Sequence, residues 1–273
     1  MSTTYGVTRG GFYAWRARGP SARAMSDAVM AQLVASAFRQ GRGLYGSPRV
    51  TRQLHQNGFG VGRRRVARLM RLAELEGHCA RLYRRSRVSQ RAFYRSVPNV
   101  QRNLPLTAPN QIWVGDVTYV RVGGRWRYLA TVMDKYSRRI LGWSLGRKRD
   151  AALTRQALHH AIRKRRPPHG VYFHTDRGIE YSAVGLRRCL ARHGFIQSMN
   201  RPGKMNDNAH MESFFHSLKT ERLFGMTFHT DHALRAELLR YLRFYNQERL
   251  HSSLDYLPPA VFERQSPNCP CVN

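Results

Sequence analysis

The apolar residues of this chain change period near Gln111, and that change limits what the chain can fold into. Ile112 to Val122 alternates well enough for a strand, Trp126 to Met133 makes a second, and Ile140 to Leu145 a third. Gly123-Gly124 supplies the hairpin turn between the first two. Asp150 then caps a helix whose Leu153, Ala157, Leu158, Ala161 and Ile162 face inward. Val171 to Asp176 reads as a short buried strand, Ser182 to His193 as a helix and Phe195 to Met199 as a fifth strand. The Asn200–Asp207 loop leads into a helix from about Asn208 to Leu223. A long amphipathic helix with Leu234, Leu238, Tyr241, Leu242 and Tyr245 in register closes the region. An antiparallel meander followed by alternating helices and strands predicts an α/β domain, a mixed sheet flanked by helices.

Upstream of Gln111 the pattern is helical. Ser26 is placed to cap a helix carrying Val29, Leu33, Val34 and Ala37. Tyr45 to Arg49 makes a turn into a short helix through Leu54, and Asn57-Gly58-Phe59-Gly60 makes another. A further helix from Gly62 carries Val66, Leu69 and Met70 on one side and Arg64, Arg65, Arg68 and Arg71 on the other. Two short helices about a glycine-bearing turn, the second arginine-faced, predict a small all-α helix-turn-helix domain that touches DNA through Arg64, Arg65 and Arg68. The proline-bearing stretch Val97 to Pro109 reads as a seam. The expected organisation is a helical region over 1–100, a linker over 101–110, an α/β core with its closing helix over 111–265 and a tail over 266–273.

Lys and Arg number 47 against 16 Asp and Glu, a net charge of +31. This charge points to a polyanionic partner, nucleic acid first, because every neutralised phosphate releases counterions. Up to Pro105 the only acids are Asp27, Glu74 and Glu76, and no lysine precedes Lys135. The four cysteines, Cys79, Cys189, Cys269 and Cys271, have no disulfide spacing and no second pair of metal-ligand type beside them. No apolar run approaches a membrane span and the first residues lack a signal-peptide core, so a cytoplasmic protein without membrane contact is expected.

Acids are scarce, so their positions carry information. Asp116 interrupts the apolar run IWVGDVTYV, where a carboxylate is costly unless paired or metal-bound. Asp176 ends the buried strand VYFHTD, where ligands collect in open α/β sheets. Glu212 stands about one turn into its helix. Individually these are a core acceptor, a turn former and a helix N-terminal charge. Together, in a chain expected to bind polyphosphate, three carboxylates on separate elements suit two hard Mg²⁺ or Mn²⁺ ions and in-line phosphoryl transfer, with no nucleophilic side chain needed.

Thirty-five residues separate Asp176 from Glu212, and in this interval the chain resembles the DDE transposases and retroviral integrases. The blocks WVGDVTY (113–119), HTDRGIEY (174–181), NDNAHMESFF (206–215) running on to LKTE (218–221), and YNQERLH (245–251) are similar, in order, to those of a large group of bacterial insertion-sequence transposases. YGSPRV and the arginine-rich helix resemble that group's small helix-turn-helix. The resemblance implies a ribonuclease-H-like fold with Asp116, Asp176 and Glu212 as catalytic metal ligands. It also implies a role for Lys219, seven residues past Glu212 on the same helical face, at the end of the element. Lys204 in the Asn200–Asp207 loop is a further expected DNA contact. Tyr245, Asn246 and Arg249 either contact DNA or pack the last helix near the site. Thr118 and His174 border the carboxylates, and Glu180 stands where the group commonly has glutamine.

The implied activity is strand cleavage and 3′-hydroxyl strand transfer during transposition. The implied partners are element-end and target DNA, an upstream-frame OrfA-type protein joined by frameshifting, and further copies of the chain on DNA. A plain ribonuclease-H-like nuclease and a silent DNA-binding regulator are the rival readings.

Overall fold

The computed structural model describes residues 8–77, 98–99, 104–201 and 208–266. The chain forms two compact units, Met1–Cys79 and Ala80–Asn273. The division falls upstream of the expected seam. Pro98 already belongs to the second unit, its carbonyl accepting from the Met199 amide at 3.3 Å. The expected linker is likewise partly built in: Asn110 is buried, and Gln111 Oε1 accepts from the Thr107 and Ala108 amides at 2.9 and 3.2 Å.

In the first unit, α1 (Arg9–Ala17) precedes α2 (Ala22–Gln40), α3 (Ser47–Gln56) and α4 (Arg63–Leu72). The start of α2 corrects the expectation. Ser21, not Ser26, is the cap, its hydroxyl accepting from the Ala24 amide at 3.1 Å, and Val29 is exposed. Helices α2, α3 and α4 pack pairwise around Val34, Ala37, Val50, Leu54, Val66 and Leu69. The glycine-bearing turn between α3 and α4 needs Gly58 at φ +86° and is pinned by His55 Nε2 on the Val61 carbonyl at 2.8 Å.

The second unit is built on a five-stranded sheet. Strands β1 (Ile112–Val122), β2 (Arg125–Asp134) and β3 (Ile140–Gly146) form the antiparallel meander; β4 (Tyr172–Thr175) and β5 (Ile196–Met199) add in parallel on the other side of β1. The order is β3-β2-β1-β4-β5. Helix α5 (Ala151–Arg165) begins at Asp150, which accepts from the Leu153 amide at 2.9 Å as its sequence position predicts. A short α6 (Ile179–Ser182) precedes α7 (Val184–Arg192), which occupies the span expected to be helical from Ser182 to His193. Helix α8 (Ala209–Leu218) passes into a π-helical turn, Lys219–Leu223, and is followed by α9 (Asp231–Gln247) and α10 (Pro259–Gln265).

Alternation along the strands feeds two cores. Trp113, Ala130, Val132 and Phe173 meet Leu153, Ala157, Leu158 and Leu186 of α5 and α7. Ile112, Val114, Leu129 and Met133 are buried as well; α8 packs against β1, and both α5 and α9 pack against β3. Each such fully buried side chain is worth about 1.5–3 kcal/mol.

Buried polar groups tie these layers together. Asp134 accepts from the Asn110 amide at 2.7 Å and from the Ser137 amide and hydroxyl at 2.9 and 3.1 Å; Asn110 Oδ1 in turn takes the Trp113 indole N–H at 3.1 Å. Glu263 of α10, fully buried, pairs with Arg165 of α5 and with Arg139 at 2.8 Å. Removing one partner of a buried ion network strands the others, which costs about 3–5 kcal/mol. Glu263→Ala therefore destabilises the protein by about that amount in denaturant unfolding. A loss below about 1 kcal/mol, the range of a surface pair, would show the network to be incidental.

Candidate active site

The parallel pairing of β1 with β4 brings two of the three singled-out carboxylates together. The register sets Gly115 opposite Thr175, so the next residues, Asp116 and Asp176, follow side by side at the ends of neighbouring strands. Gly115 leaves room for the Phe173 ring of β4: a Cβ there would lie 2.7 Å from it. Asp116 Oδ1 accepts from the Val117 amide at 2.7 Å and Asp176 Oδ1 from the Gly178 amide at 3.0 Å.

Electrostatically the pair is poised against ionisation. Burial, then the neighbouring Asp176 charge, pushes the Asp116 carboxyl well above the ordinary carboxylate range. Burial also raises Asp176, with Glu180 adding to it against the Gly178 hydrogen bond. Glu180 is itself buried, so the departure noted in the sequence places a third acid at this corner. Arg149 answers them: it donates to Glu180 at 2.7 Å and lies 3.6 Å from Asp176. Sequence reasoning missed Arg149; its signal was its position immediately before the helix cap Asp150.

Glu212 is half-buried in the first turn of α8, and the start of that helix is fixed against β1. The Asn208 side chain donates to the Gly115 carbonyl at 3.4 Å, immediately before Asp116. Among the described residues, however, no three His, Cys, Asp or Glu side chains draw close enough to hold a metal ion. The structure thus joins Asp116 to Asp176 and does not close Glu212 onto them. His210, on the same turn, is held neutral: burial, Arg138 and Lys135 push it down to about 3.

Lys219 Nζ lies 4.6 Å from the centre of the Tyr119 ring and within electrostatic reach of Asp116; burial lowers its pKa. His174 is buried, with Nδ1 on Ser198 at 2.9 Å and Nε2 on Asn200 at 2.7 Å, so it orders the strand end that carries Asp176. Thr118 is buried.

Tyr245, Asn246 and Arg249 resolve towards packing rather than DNA contact, because all three are buried and spend their polar atoms internally. Asn246 clamps Ile140, accepting from its amide at 2.8 Å and donating to its carbonyl at 2.9 Å. Arg249 donates to Glu221 at 2.8 and 2.5 Å and to Ser217 at 3.1 Å. The Tyr245 hydroxyl meets His251 Nε2 at 2.8 Å. Two of the three helix arginines are also committed: Arg65 donates to Asp27 at 2.8 Å and Arg68 to its other oxygen, while Arg64 remains exposed. Two guanidiniums on one carboxylate, Arg68 the stronger, hold Asp27 below its ordinary range. Lys204, His78, Cys79, Cys269 and Cys271 lie outside the described residues.

The sequence reading also missed a groove of about 770 Å³ between α5 and α7, lined by Arg155, His159, Arg163, Arg188 and Arg192 and by no acid. Its basic residues recur four apart, Arg155, His159 and Arg163 on α5 and Arg188 and Arg192 on α7, a spacing that aligns them along one helical face.

Comparison with known proteins agrees with this architecture. Two models of an integrase core domain match residues 107–205 and 193–259, and a model of an HTH-like domain matches residues 25–84. The insertion element IS600 31 kDa protein of Shigella sonnei is 36% identical over 97% of this chain and 98% of its own length. Transposase InsF for insertion sequence IS3A of Escherichia coli K12 is 36% identical over 95% of this chain and 91% of its own. Among solved structures, the simian T-cell lymphotropic virus intasome in complex with PP2A regulatory subunit B56 gamma shares the fold, with a TM-score of 0.51 at 17% identity over 87% of this chain and 77% of that one. The sheet is that of the ribonuclease-H-like α/β fold, preceded by an HTH-like helical unit. With a full-length relative above one-third identity and an integrase core spanning its α/β unit, the chain belongs to the insertion-sequence transposases.

Proposed function

We propose that this transposase cuts DNA strands at the ends of its element and joins the resulting 3′-hydroxyls to a target, using Asp116, Asp176 and Glu212. The observation that carries the reading is the β1–β4 register, which sets Asp116 beside Asp176 in a place where neither is at ease as an anion. Each is held by a backbone amide through one oxygen. An all-oxygen donor set that repels itself fits a hard divalent cation.

Asp116 and Asp176 would hold Mg²⁺ or Mn²⁺, two ions in all, with Glu212 completing the set from α8. Bound there, such ions supply the charge that activates an attacking oxygen and stabilises a leaving one. The chain's own groups do the rest. Arg149 offsets the charge of Asp176 and Glu180. Lys219 brings an ammonium beside the carboxylates, where a DNA phosphate needs one. His174 and Asn200 hold the Asp176 strand end in register.

The partners of this reading are element-end and target DNA. Arg64 on the HTH-like unit and the basic groove between α5 and α7 are phosphate-facing surfaces. An upstream-frame OrfA-type protein, joined by frameshifting, supplies end recognition, and copies of the chain assemble on DNA. The setting is the bacterial cytoplasm, on the nucleoid. Among the described residues no helix is long and apolar enough to cross a membrane.

Strand joining is measured with labelled element ends, target duplex and Mg²⁺. Asp176→Asn lowers joining by more than about a hundredfold, the loss expected when a metal ligand goes. A chelator abolishes joining and added Mg²⁺ or Mn²⁺ restores it. Hydrolysis without joining would point to a nuclease, and unchanged joining by Asp176→Asn would remove the assignment.

Asp116→Asn separates catalysis from stability. A carboxyl whose folded pKa lies above its unfolded value weakens folding once the pH exceeds the unfolded value. Asp116→Asn should therefore lose joining yet unfold at higher temperature in chelator at neutral pH, a gain of about 1–3 kcal/mol. A lower melting temperature would show that Asp116 is structural. The double substitution Arg188→Glu/Arg192→Glu weakens duplex binding across sequences and shrinks the salt dependence by about one unit of slope per lost phosphate contact. An unaltered slope would clear the groove of DNA.

A further inference from the structure

The β1–β2 hairpin carries two large aromatic side chains that neither core uses. Tyr119 is 47% exposed and Trp126 49% exposed. Their rings stand edge to face, centroids 5.0 Å apart and planes at 84°. A cation flanks each: Arg121 lies 5.4 Å above the Trp126 ring and Lys219 4.6 Å from the centre of Tyr119. The backbone makes this order. Tyr119 and Arg121 fall on one face of β1, and Trp126 is the β2 residue opposite Arg121. The result is a surface row of cation, ring, ring, cation.

Half-exposed aromatic rings forgo burial, and pairs of them beside cations suit a ligand that is flat on one side and anionic on the other. A nucleobase on its phosphate backbone has that chemistry: every base stacks on an aromatic face, and guanidinium or ammonium groups take the phosphates. A base within a duplex offers no free face, so the row fits a base that has left its pair.

The row lies on the strand that carries Asp116. Asp116 is three residues upstream of Tyr119 on the same strand, about 10 Å or about three base steps along it, and strand alternation turns its side chain to the opposite face of the sheet. Lys219 lies within electrostatic reach of both Tyr119 and Asp116. A base about three steps from a phosphodiester at the carboxylates, drawn past Lys219, therefore comes within range of the rings.

We propose that Tyr119 and Trp126, flanked by Arg121 and Lys219, form a shelf that receives a nucleobase unpaired from the DNA end being processed. The proposal rests on the DNA-joining reading above, and it concerns binding and positioning rather than the chemical step.

The test uses the full chain and two probes, a blunt duplex and the same duplex with its terminal step unpaired, each carrying 2-aminopurine at that step. Wild type binds the open-ended probe roughly tenfold tighter than the blunt one and quenches its fluorescence, the size of one base stacked on a ring. Tyr119→Ala/Trp126→Ala abolishes the preference while leaving blunt-duplex affinity and circular dichroism unchanged, and Trp126→Phe restores most of it. Equal wild-type affinity for the two probes overturns the shelf without any variant. A double variant that keeps the preference overturns it too, and one that loses both probes alike assigns the row to gripping duplex backbone instead. Asp176→Asn retains the preference but not strand joining, so failure of the joining reading and failure of the shelf register separately.

Discussion

The contact between β1 and β4 is the constraint on which the second unit turns. Parallel strands have no hairpin to set their register, so side-chain packing must do it. Here Gly115 lets the Phe173 ring lie against the β1 backbone, and a slip of one residue would drive a Cβ into that ring. The same register seats Asp116 beside Asp176. Folding thus opposes two acids that repel one another, and the apolar faces of Trp113, Phe173 and their neighbours are what hold them there. Local discomfort of this kind persists only where the surroundings over-determine it.

Those surroundings include buried ionic and amide clamps spread through the unit. Arg249 and Tyr241 converge on Glu221 and fasten α9 to the turn that carries Lys219. Asn246 mends the start of β3, and Glu263 binds α10 to α5 and to Arg139. Each clamp joins segments far apart in the chain, so the helices around the site cannot drift independently. In a protein with so few acids, three of the five buried among the described residues of this unit, Glu180, Glu221 and Glu263, serve the candidate site or one of these clamps.

Much of this was legible in the sequence. Alternation along β1, β2 and β3 and the helical period of α5 and α9 record which faces are buried, and burial decides both period and fold. The carboxylates were legible because a charge inside an apolar strand has few reasons to be there. What escaped depended on contacts between remote residues. Arg65 and Arg68 look like a free basic face until Asp27, about forty positions upstream, comes to meet them. Asn246 and Arg249 sit in a motif that reads equally as ligand or brace, and only their buried partners decide. Ser26 made a plausible cap, but Ser21 stands one turn earlier with the same chemistry, and local sequence does not rank the two. The groove between α5 and α7 arises from two helices distant in the chain, each with an ordinary basic face.

The π-helical turn at Lys219–Leu223 has a consequence for how this protein tolerates change. A turn of this kind holds one residue more than a regular helix would, and it survives because the surplus is locked in place at both ends. Lys219 reaches outward to Tyr119 while Glu221, two positions on, is drawn inward by Arg249. Excising a single amino acid here would let the helix run on undisturbed by its own hydrogen bonds, yet it would rotate the carboxylate off its buried guanidinium. Chain length, and not residue identity alone, is what this stretch must keep.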